Sequence, residues 1–316
     1  MRRLAQFVFV LLLVCSASRA AERDMVRTFS VQPGCTVAID TYRGAITVIE
    51  SDRPEVRIAV HLEIGARTAA EAEQVLAGFH LSCTQQGDTI SVRARHPAET
   101  RARFIWNDDH QIEPTFRITV PRRCNLDLRT IRGSIVVGEL SGRIVAHAET
   151  GNVFLRHAIG PTDASVDSGE LVVSQCDGNL AASVRHGLIR VGVVNGRCDL
   201  KNSSGDVEVM EARGDTRVFA EAGTAKIGVP RDFAAVADVS TSGGNVIMLI
   251  DPAANCEVRA RTSWLGHIAC RLPAEIESGR VGGRTLVARL NRGGPKLTVH
   301  ASGGDVSLEP AETPFE

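Results

Sequence analysis

The sequence has few aromatic residues and almost no net charge. One Tyr, two Trp and ten Phe occur among 316 residues, and this scarcity weakens any interpretation that depends on stacking against sugars or bases. The formal net charge is −1, so no long-range field would collect nucleic acid or an anionic membrane surface. We therefore expect no nucleic-acid partner.

Motifs for catalysis and metal binding are also missing. No two cysteines have CxxC spacing, no serine lies in a GxSxG turn, and no phosphate-binding P-loop is present. These absences exclude the common zinc, serine-hydrolase and nucleotide motifs. The sequence predicts a protein without a cofactor, without a resident metal and without catalytic residues.

The first twenty residues have the pattern of an export signal. Two arginines precede the apolar run LAQFVFVLLLV at 4–14, and Ser18 and Ala20 are the small residues that a cut before Ala21 requires. The run is too short to cross a bilayer comfortably, and no later segment is a membrane-spanning candidate. We expect residues 1–20 to be removed and the mature chain to be periplasmic, extracellular or at the cell surface.

Glycine recurs at every ninth residue through the middle of the chain. The positions are 133, 142, 151, 160, 169, 178, 187, 196, 205, 214 and 223. A fixed period of this kind marks a repeat architecture. When the units are aligned on glycine, the third and fifth positions are mostly apolar, as in Ile135 and Val137. This alternation predicts a short strand with one buried face, and each glycine predicts a corner at positive φ.

A second pattern doubles the period. After its third and fifth positions, each nonapeptide has one further small or apolar residue. This residue lies at the eighth position in one nonapeptide and usually at the seventh in the next, so two nonapeptides make one coil. Residues 18 apart then become neighbours, and Arg190, Glu208 and Lys226 alternate in sign, as do Asp199 and Arg217. The sequence predicts an all-β fold, a right-handed parallel β-solenoid with about 18 residues per coil in two nonapeptide half-turns.

The repeat is interrupted near its start. In three similar segments Cys35, Cys124 and Cys256 take the place of a corner glycine, which indicates a first coil around 31–50 and a resumed register near 120. Residues 51–119, called here the capping excursion, contain alternating strands and, within 66–79, one helix that begins at Thr68 and ends near Gly78. We expect this strand–helix–strand excursion to cover the end of the solenoid. The expected divisions are 1–20 (export signal), 21–119 (first coil and capping excursion), 120–310 (solenoid) and 311–316 (disordered tail).

These features together resemble a known family. The T-x-x-G-x-I-x-V blocks, the export signal, the early excursion and the final SGGDVSL coil are similar to the putative-adhesin family of exported bacterial β-solenoid proteins, related to LiaG-like and head-GIN domains. The similarity covers residues 25–310 and lies in coil-forming residues. It implies a solenoid fold and an adhesin-like role, and it implies no catalytic residues.

One outward column is the candidate binding surface. Val136, Phe154 and Val172 are 18 residues apart at outward positions, with Leu188 beside the next coil. A row of exposed apolar side chains is normally covered by something. Either the capping excursion folds over the row, or the row binds a partner or a second copy of the chain.

Two acidic groups and one cysteine pair are weaker candidates. Asp108, Asp109 and His110, next to Asn107 and Glu113, are the densest set of potential metal ligands, and a solvated loop is the simpler interpretation. Glu149, Asp163 and Asp167 are the carboxylates that a hydrolytic β-helix enzyme would need as a pair. Cys35 and Cys124 could form a disulfide if their coils are neighbours, while the pairing of the seven mature cysteines stays open.

The main functional hypothesis is an exported, non-enzymatic β-solenoid that serves as an adhesin-like binding or structural module at the cell envelope. Its partner would be an envelope or surface ligand, either protein or glycan. One alternative is a carbohydrate-active β-helix enzyme that acts on an envelope or extracellular glycan. Another is an envelope scaffold that polymerises through the ends of the solenoid, where parallel coils expose unpaired edges.

Overall fold

The computed structural model describes residues 21–66, 68–95, 112–263 and 265–311. The predicted export signal and the candidate ligands Asp108, Asp109 and His110 lie outside these residues. The N-terminal elements are β1 Ala21–Ser30, β2 Cys35–Arg43, β3 Ala45–Ser51, β4 Glu55–Ile64, α1 Ala69–Ala77, β5 His80–Gln86, β6 Thr89–Arg95 and β7 Ile112–Pro121.

Strands continue through the rest of the chain. The middle strands are β8 Cys124–Arg132, β9 Ile135–Ser141, β10 Ile144–Thr150, β11 Val153–Ile159, β12 Thr162–Ser168, β13 Leu171–Cys176, β14 Leu180–His186, β15 Ile189–Val194, β16 Cys198–Ser204, β17 Val207–Ala212, β18 Thr216–Ala222 and β19 Ala225–Val229. The C-terminal strands are β20 Ala237–Thr241, β21 Val246–Ile250, β22 Cys256–Thr262, β23 Ile268–Cys270, β24 Glu275–Gly279, β25 Thr285–Leu290, β26 Lys296–Ala301 and β27 Val306–Pro310.

Two long sheets face each other and enclose one thin core. Sheet A has the order β1-β4-β7-β3-β9-β11-β13-β15-β17-β19-β21-β27-β23, and sheet B has the order β24-β25-β22-β26-β20-β18-β16-β14-β12-β10-β8-β2-β6-β5. From β8 to β17 each strand pairs in parallel with the strand two places later, with partners 18 residues apart such as Ile144 with Thr162. Inward residues such as Leu155 and Val191 are buried. The predicted β-solenoid and its 18-residue coil are confirmed.

Glycine is required at the corners mainly because the coils approach closely there. Gly169 and Gly187 have φ near +140°, which L residues rarely adopt. Gly178 lies outside the left-handed range, so the expected positive φ does not hold at every corner. A Cβ at Gly178 would still overlap the carbonyl oxygen of Gly160, one coil earlier. Glycine therefore recurs every nine residues for two reasons, the close backbone contact between coils and the conformation of the turn.

A ladder of side-chain hydrogen bonds connects the same corners. The residue after the corner often carries an oxygen that accepts a backbone N–H from the next coil, as Asn152 does from Glu170 at 2.8 Å and Asp206 from Thr224 at 2.7 Å. Asn179 and Asp215 make the same contact with Arg197 and Val236. These bonds occupy backbone groups that a corner would otherwise leave unpaired.

The capping excursion begins with antiparallel strands and ends in a coil of its own. Strand β4 pairs antiparallel with β1 and β7, whereas β6 and β7 pair in parallel with β2 and β3. Strands β6 and β7 thereby form a further parallel coil beside the first one and give partners to both of its edges at this end. Helix α1 is capped by Thr68, whose hydroxyl accepts the Glu71 N–H at 3.2 Å. Its partly buried side chains pack against the core at this end.

The last coil in the sequence is not the last coil in space. Strands β26 and β27 insert between the β20–β21 coil and the β22–β23 coil, and β24–β25 form an antiparallel hairpin beyond β22. Within the described residues, sheet B therefore ends in an antiparallel strand on both sides. This arrangement covers much of the parallel edge on which the polymerisation hypothesis depends. Within the same residues, no helix has the length and apolar character needed to cross a membrane.

Candidate functional site

The predicted apolar row is present on the outer face of sheet A. Val136, Phe154 and Val172 are in-register partners on β9, β11 and β13, and the row continues into Arg190 on β15. Val136 is 39% exposed, while Phe154, Val172 and the adjacent Leu188 are half-buried by their neighbours on the same face. Strand pairing on both sides holds the three side chains at the spacing of adjacent strands, about 4.8 Å.

The described part of the capping excursion does not fold over this row. Its strands extend the two sheets at their N-terminal edge, with β7 beside β3 and β6 beside β2. Beyond Val136 the outward column continues through Thr47 and Arg117, so the apolar row is bounded by polar side chains at both ends. The geometry leaves an apolar strip three coils long on a flat face.

A row of polar side chains runs beside the apolar row. Asp177 is its centre: its carboxylate accepts from Asn195 Nδ2 at 2.6 Å and from Gln175 Nε2 at 3.1 Å, and lies 2.7 Å from His157 Nε2. The other ring nitrogen of His157 lies 3.7 Å from Glu139. One ring nitrogen of His157 is thus hydrogen-bonded to Asp177, while the other lies beyond hydrogen-bond distance of Glu139.

The charged strand neighbours that the sequence predicted are present. Glu208 lies 3.6 Å from Arg190 and 3.2 Å from Lys226, its neighbours on adjacent coils. Asp199 and Arg217 are also in-register partners, but the ion pair of Asp199 at 2.8 Å is with Arg197 on its own coil. The predicted doubled register is correct in both columns, although only one of them forms ion pairs between coils.

Asp177 is expected to make the stability of the fold depend on acid pH. Hydrogen bonds from His157, then from Gln175 and Asn195, lower the pKa of Asp177 from 3.8 to about 2. Folding thus favours the ionised carboxylate, so its contribution is complete above about pH 4 and is lost as the pH falls toward 2. Chemical denaturation of the wild type between these pH values should show this loss, and Asp177→Asn should flatten the slope.

Asp163→Asn is the matched control for this experiment. Asp163 is an exposed aspartate on β12 that has no hydrogen-bond or ion-pair partner within the part of the chain that the structure describes. The Asp163→Asn variant should keep the acid slope of the wild type. Equal slopes in the wild type and both variants would contradict the role assigned to Asp177.

Of the three candidate catalytic carboxylates, Asp163 lies apart from Asp167. Asp163 and Asp167 are four residues apart on β12, which separates their Cα atoms by about 13 Å along a strand. Glycoside hydrolysis needs carboxyl groups roughly 5 to 10 Å apart across a bound sugar. Glu149 lies beside Asp167 in the register of the neighbouring coil, since Ala148 pairs with Val166 and Thr150 with Ser168. Asp167 is held in an ion pair by Arg185 at 3.2 Å. The carbohydrate-active enzyme stays an alternative hypothesis, with Glu149 and Asp167 as the two candidate carboxylates that the fold brings together.

Metal ligands do not converge in the described ranges. No group of three His, Cys, Asp or Glu side chains there is arranged to hold an ion. Glu113, the described neighbour of the candidate loop, lies 3.6 Å from Arg43 in an ion pair. Asp108, Asp109 and His110 lie outside these ranges, and metal binding there stays the alternative to a solvated loop.

Cys35 and Cys124 are brought together as the sequence suggested. They are in-register partners on β2 and β8, their Sγ atoms are 3.5 Å apart, and both are free thiols in this structure. Burial is the main cause that raises the pKa of each thiol above its ordinary value. Little reactive thiolate therefore forms once the coils have stacked.

We propose that this pair closes to a disulfide when the chain folds under oxidising conditions. Refolding with oxidised glutathione should join the two cysteines through thiol–disulfide exchange, which releases reduced glutathione. The bond should raise the free energy of unfolding by about 2 kcal/mol. Peptide mapping without reductant checks the bond, and a Cys35→Ser variant should show no gain. Finding both thiols free after this refolding would contradict the pairing.

Sequence reasoning missed one groove at the C-terminal end of the stack. Arg261, Arg280 and Arg284 line it. Arg280 and Arg284 are four residues apart in one turn, and Arg261 meets them only because the β24–β25 hairpin turns back along β22. The one sequence signal was the short stretch VGG between Arg280 and Arg284.

Comparisons with known proteins find similar folds only among distant solved structures. No protein-family model matches the chain, and no curated protein matches it. A putative lipid binding protein from Parabacteroides distasonis aligns with a TM-score of 0.47 and 11% identity, covering 90% of this chain and 96% of that one. A putative adhesin from Bacteroides fragilis aligns with a TM-score of 0.38 and 9% identity, covering 90% and 97%.

A third structure gives the same result. A putative adhesin from Parabacteroides merdae has a TM-score of 0.36 and 10% identity, covering 90% of this chain and 96% of that one. With TM-scores below 0.5, these likenesses support no further conclusion about this chain. The relation to LiaG-like and head-GIN domains therefore stays a hypothesis.

Proposed function

We propose that the protein is an exported, non-enzymatic β-solenoid that acts as an adhesin-like binding module at the cell envelope. The observation that supports this function is the apolar row of Val136, Phe154 and Val172 on the outer face of sheet A. The row is in register over three coils, and polar side chains bound it on the same face.

The stack suits this task because it is stiff. Each strand of the face is hydrogen-bonded on both sides and stands on a buried aliphatic core, so the row loses little conformational freedom when a partner covers it. Complete burial of one such apolar side chain contributes about 1.5 to 3 kcal/mol. The polar row around Asp177 would then supply oriented hydrogen-bonding groups at the rim of the contact.

A cosedimentation experiment tests the proposal. Purified 21–316 chain is mixed with washed envelope fragments from cells that lack the gene, and the bound fraction is measured against protein concentration. The Val172→Ser variant should bind roughly tenfold more weakly, because it loses most of one buried apolar contact.

Val145→Ser provides the matched control. Val145 is also an outward, half-buried valine, but it lies on β10 in sheet B. This variant should bind like the wild type. Equal binding by both variants would remove the apolar row from the proposed function, and no binding by the wild type would refute the binding function itself.

A further inference from the structure

A groove with a strongly basic lining opens at the C-terminal end of the stack. Its volume is about 740 Å³, and it lies between β22 and the turn that joins β24 to β25. Three arginines line it, Arg261, Arg280 and Arg284, together with the hydroxyl-bearing residues Thr262, Ser263 and Thr285. The groove is far from the apolar row, which lies on strands of the middle coils of sheet A.

Backbone hydrogen bonds hold the walls of the groove in place. Arg261 is the in-register partner of Thr285. The turn is bonded to the last strand of sheet A, because Gly282 N donates to Ile268 O at 2.7 Å and Ile268 N donates to Gly283 O at 2.9 Å. Arg261 therefore lies on a strand, and Arg280 and Arg284 lie at a turn that is hydrogen-bonded to sheet A. The fold sets the relative positions of the three backbone sites.

The charges around the groove are not balanced by acids. Within the described residues, none of the three arginines forms an ion pair with an acidic side chain. Other arginines of the same end do have partners, and these are Arg259 with Glu257, Arg271 with Glu309, and Arg289 with Glu275. Three unpaired like charges on one groove produce a local positive potential although the whole chain is nearly neutral.

The lining selects the chemical class of the ligand. A guanidinium group presents a planar fork of N–H donors that matches phosphate and carboxylate oxygens, and hydroxyls can donate to the same oxygens. Three positive charges match a doubly charged phosphate monoester better than a single carboxylate. The volume also falls within the range of small-molecule sites, about 300 to 1,000 Å³, and exceeds the need of one inorganic phosphate. We infer that this groove binds a phosphate monoester carried on a larger molecule.

Calorimetric titration with matched probes tests the inference. Phenyl phosphate, benzoate and phenol share one ring and differ in the charged group, and each is titrated into the 21–316 chain. Phenyl phosphate should bind at least tenfold more tightly than benzoate, and phenol should not bind measurably. A preference for benzoate, or no binding of phenyl phosphate, would overturn the assignment.

Three arginine variants and one control test the location of the site. Arg261→Gln, Arg280→Gln and Arg284→Gln should each weaken phenyl phosphate binding roughly tenfold, since each removes one charge-assisted contact. Arg292→Gln removes an equal charge from an exposed arginine at the same end that does not line the groove, and it should bind normally. Equal losses of phenyl phosphate affinity in all four variants would mean that binding depends only on the net charge of this end, and this result would overturn the site.

The source of the phosphate is distinguished with vesicles. Phosphatidylcholine vesicles with and without phosphatidic acid are cosedimented with the wild type and with the Arg280→Gln variant. Arginine-dependent capture by phosphatidic acid would assign a lipid headgroup, whereas binding of phenyl phosphate without capture would assign a soluble or polymer-borne phosphate. Val172→Ser should leave phenyl phosphate binding unchanged, so failure of this inference and failure of the proposed function can be separated.

Discussion

The Gly187→Ala substitution is expected to lower the free energy of unfolding by roughly 4 kcal/mol, or to prevent folding. Gly187 has φ of +139°, and a Cβ there would overlap the carbonyl oxygen of Gly169 on the preceding coil. Conformational strain of this kind costs about 1 to 3 kcal/mol, and forcing packed groups apart costs about 1 to 3 kcal/mol more. Urea denaturation followed by circular dichroism measures the loss.

Gly87→Ala separates conformation from contact. Gly87 lies in the turn between β5 and β6 with φ of +59°, and an added Cβ there would meet nothing within 4 Å. This variant should lose only about 1 kcal/mol, the cost of an alanine in the left-handed region. Similar losses at the two positions would contradict the conclusion that coils touch through their corner glycines.

The second large effect is expected at a buried asparagine. Asn202 is 1% exposed and stands where neighbouring coils of sheet B place Val184 and Ala220. Its amide nitrogen donates to the carbonyl oxygens of Gly187 at 2.9 Å and Asp206 at 3.1 Å. An asparagine in the core is therefore tolerated because the corner accepts both of its N–H groups.

Asn202→Asp should cost roughly 3 kcal/mol or more at neutral pH. The substitution keeps the shape but turns a carboxylate toward two carbonyl oxygens in a buried place, where an unpaired charge is very unfavourable. Burial raises the pKa of such a group above its value in the unfolded chain, so the deficit should shrink as the pH falls and the carboxyl becomes protonated. Denaturant midpoints measured across acid and neutral pH check both the size and the sign.

Asn179→Asp is the control for this substitution. Asn179 uses only its side-chain oxygen, which accepts Arg197 N at 3.1 Å, and Asp206 and Asp215 make the same contact at other corners. Aspartate should therefore be tolerated at this position with little change in stability. A large loss of stability in Asn179→Asp, or a small one in Asn202→Asp, would contradict the hydrogen-bonding roles assigned to these two side chains.

The regular part of the fold could be predicted because individual residue types recur in the sequence at the period of the coils. Glycine spacing, inward pairs such as Ile189 and Val191, and the alternating charges of Arg190, Glu208 and Lys226 all depend on nearest neighbours in the stack. Capping by Thr68 was also predictable, since the hydroxyl acts on a backbone N–H only three residues away. Local rules of this kind need no knowledge of the whole chain.

The ends and the charged groove could not be predicted in the same way. Strands β22 and β26 have the same alternating pattern. The sequence therefore does not show that β26, and not β22, is the strand that pairs with β20. The arginine groove depends on that order and on the antiparallel hairpin, which brings Thr285 opposite Arg261. For the apolar row, the sequence identified the side chains but not what lies over them.

Stacking in a fixed register is the central claim, and distances between spin labels test it most directly. Labels are placed at Asp127 and, in separate samples, at Asp199, Arg217 or Asp238, which lie four, five and six strands away along sheet B. The half-buried Cys83 and Cys270 are replaced by serine so that only the introduced cysteines react. With about 4.8 Å per coil, the backbone separations should be about 19, 24 and 29 Å, rising by equal steps. Distances that do not increase evenly with coil number would contradict the stacked solenoid and the functional surfaces derived from it.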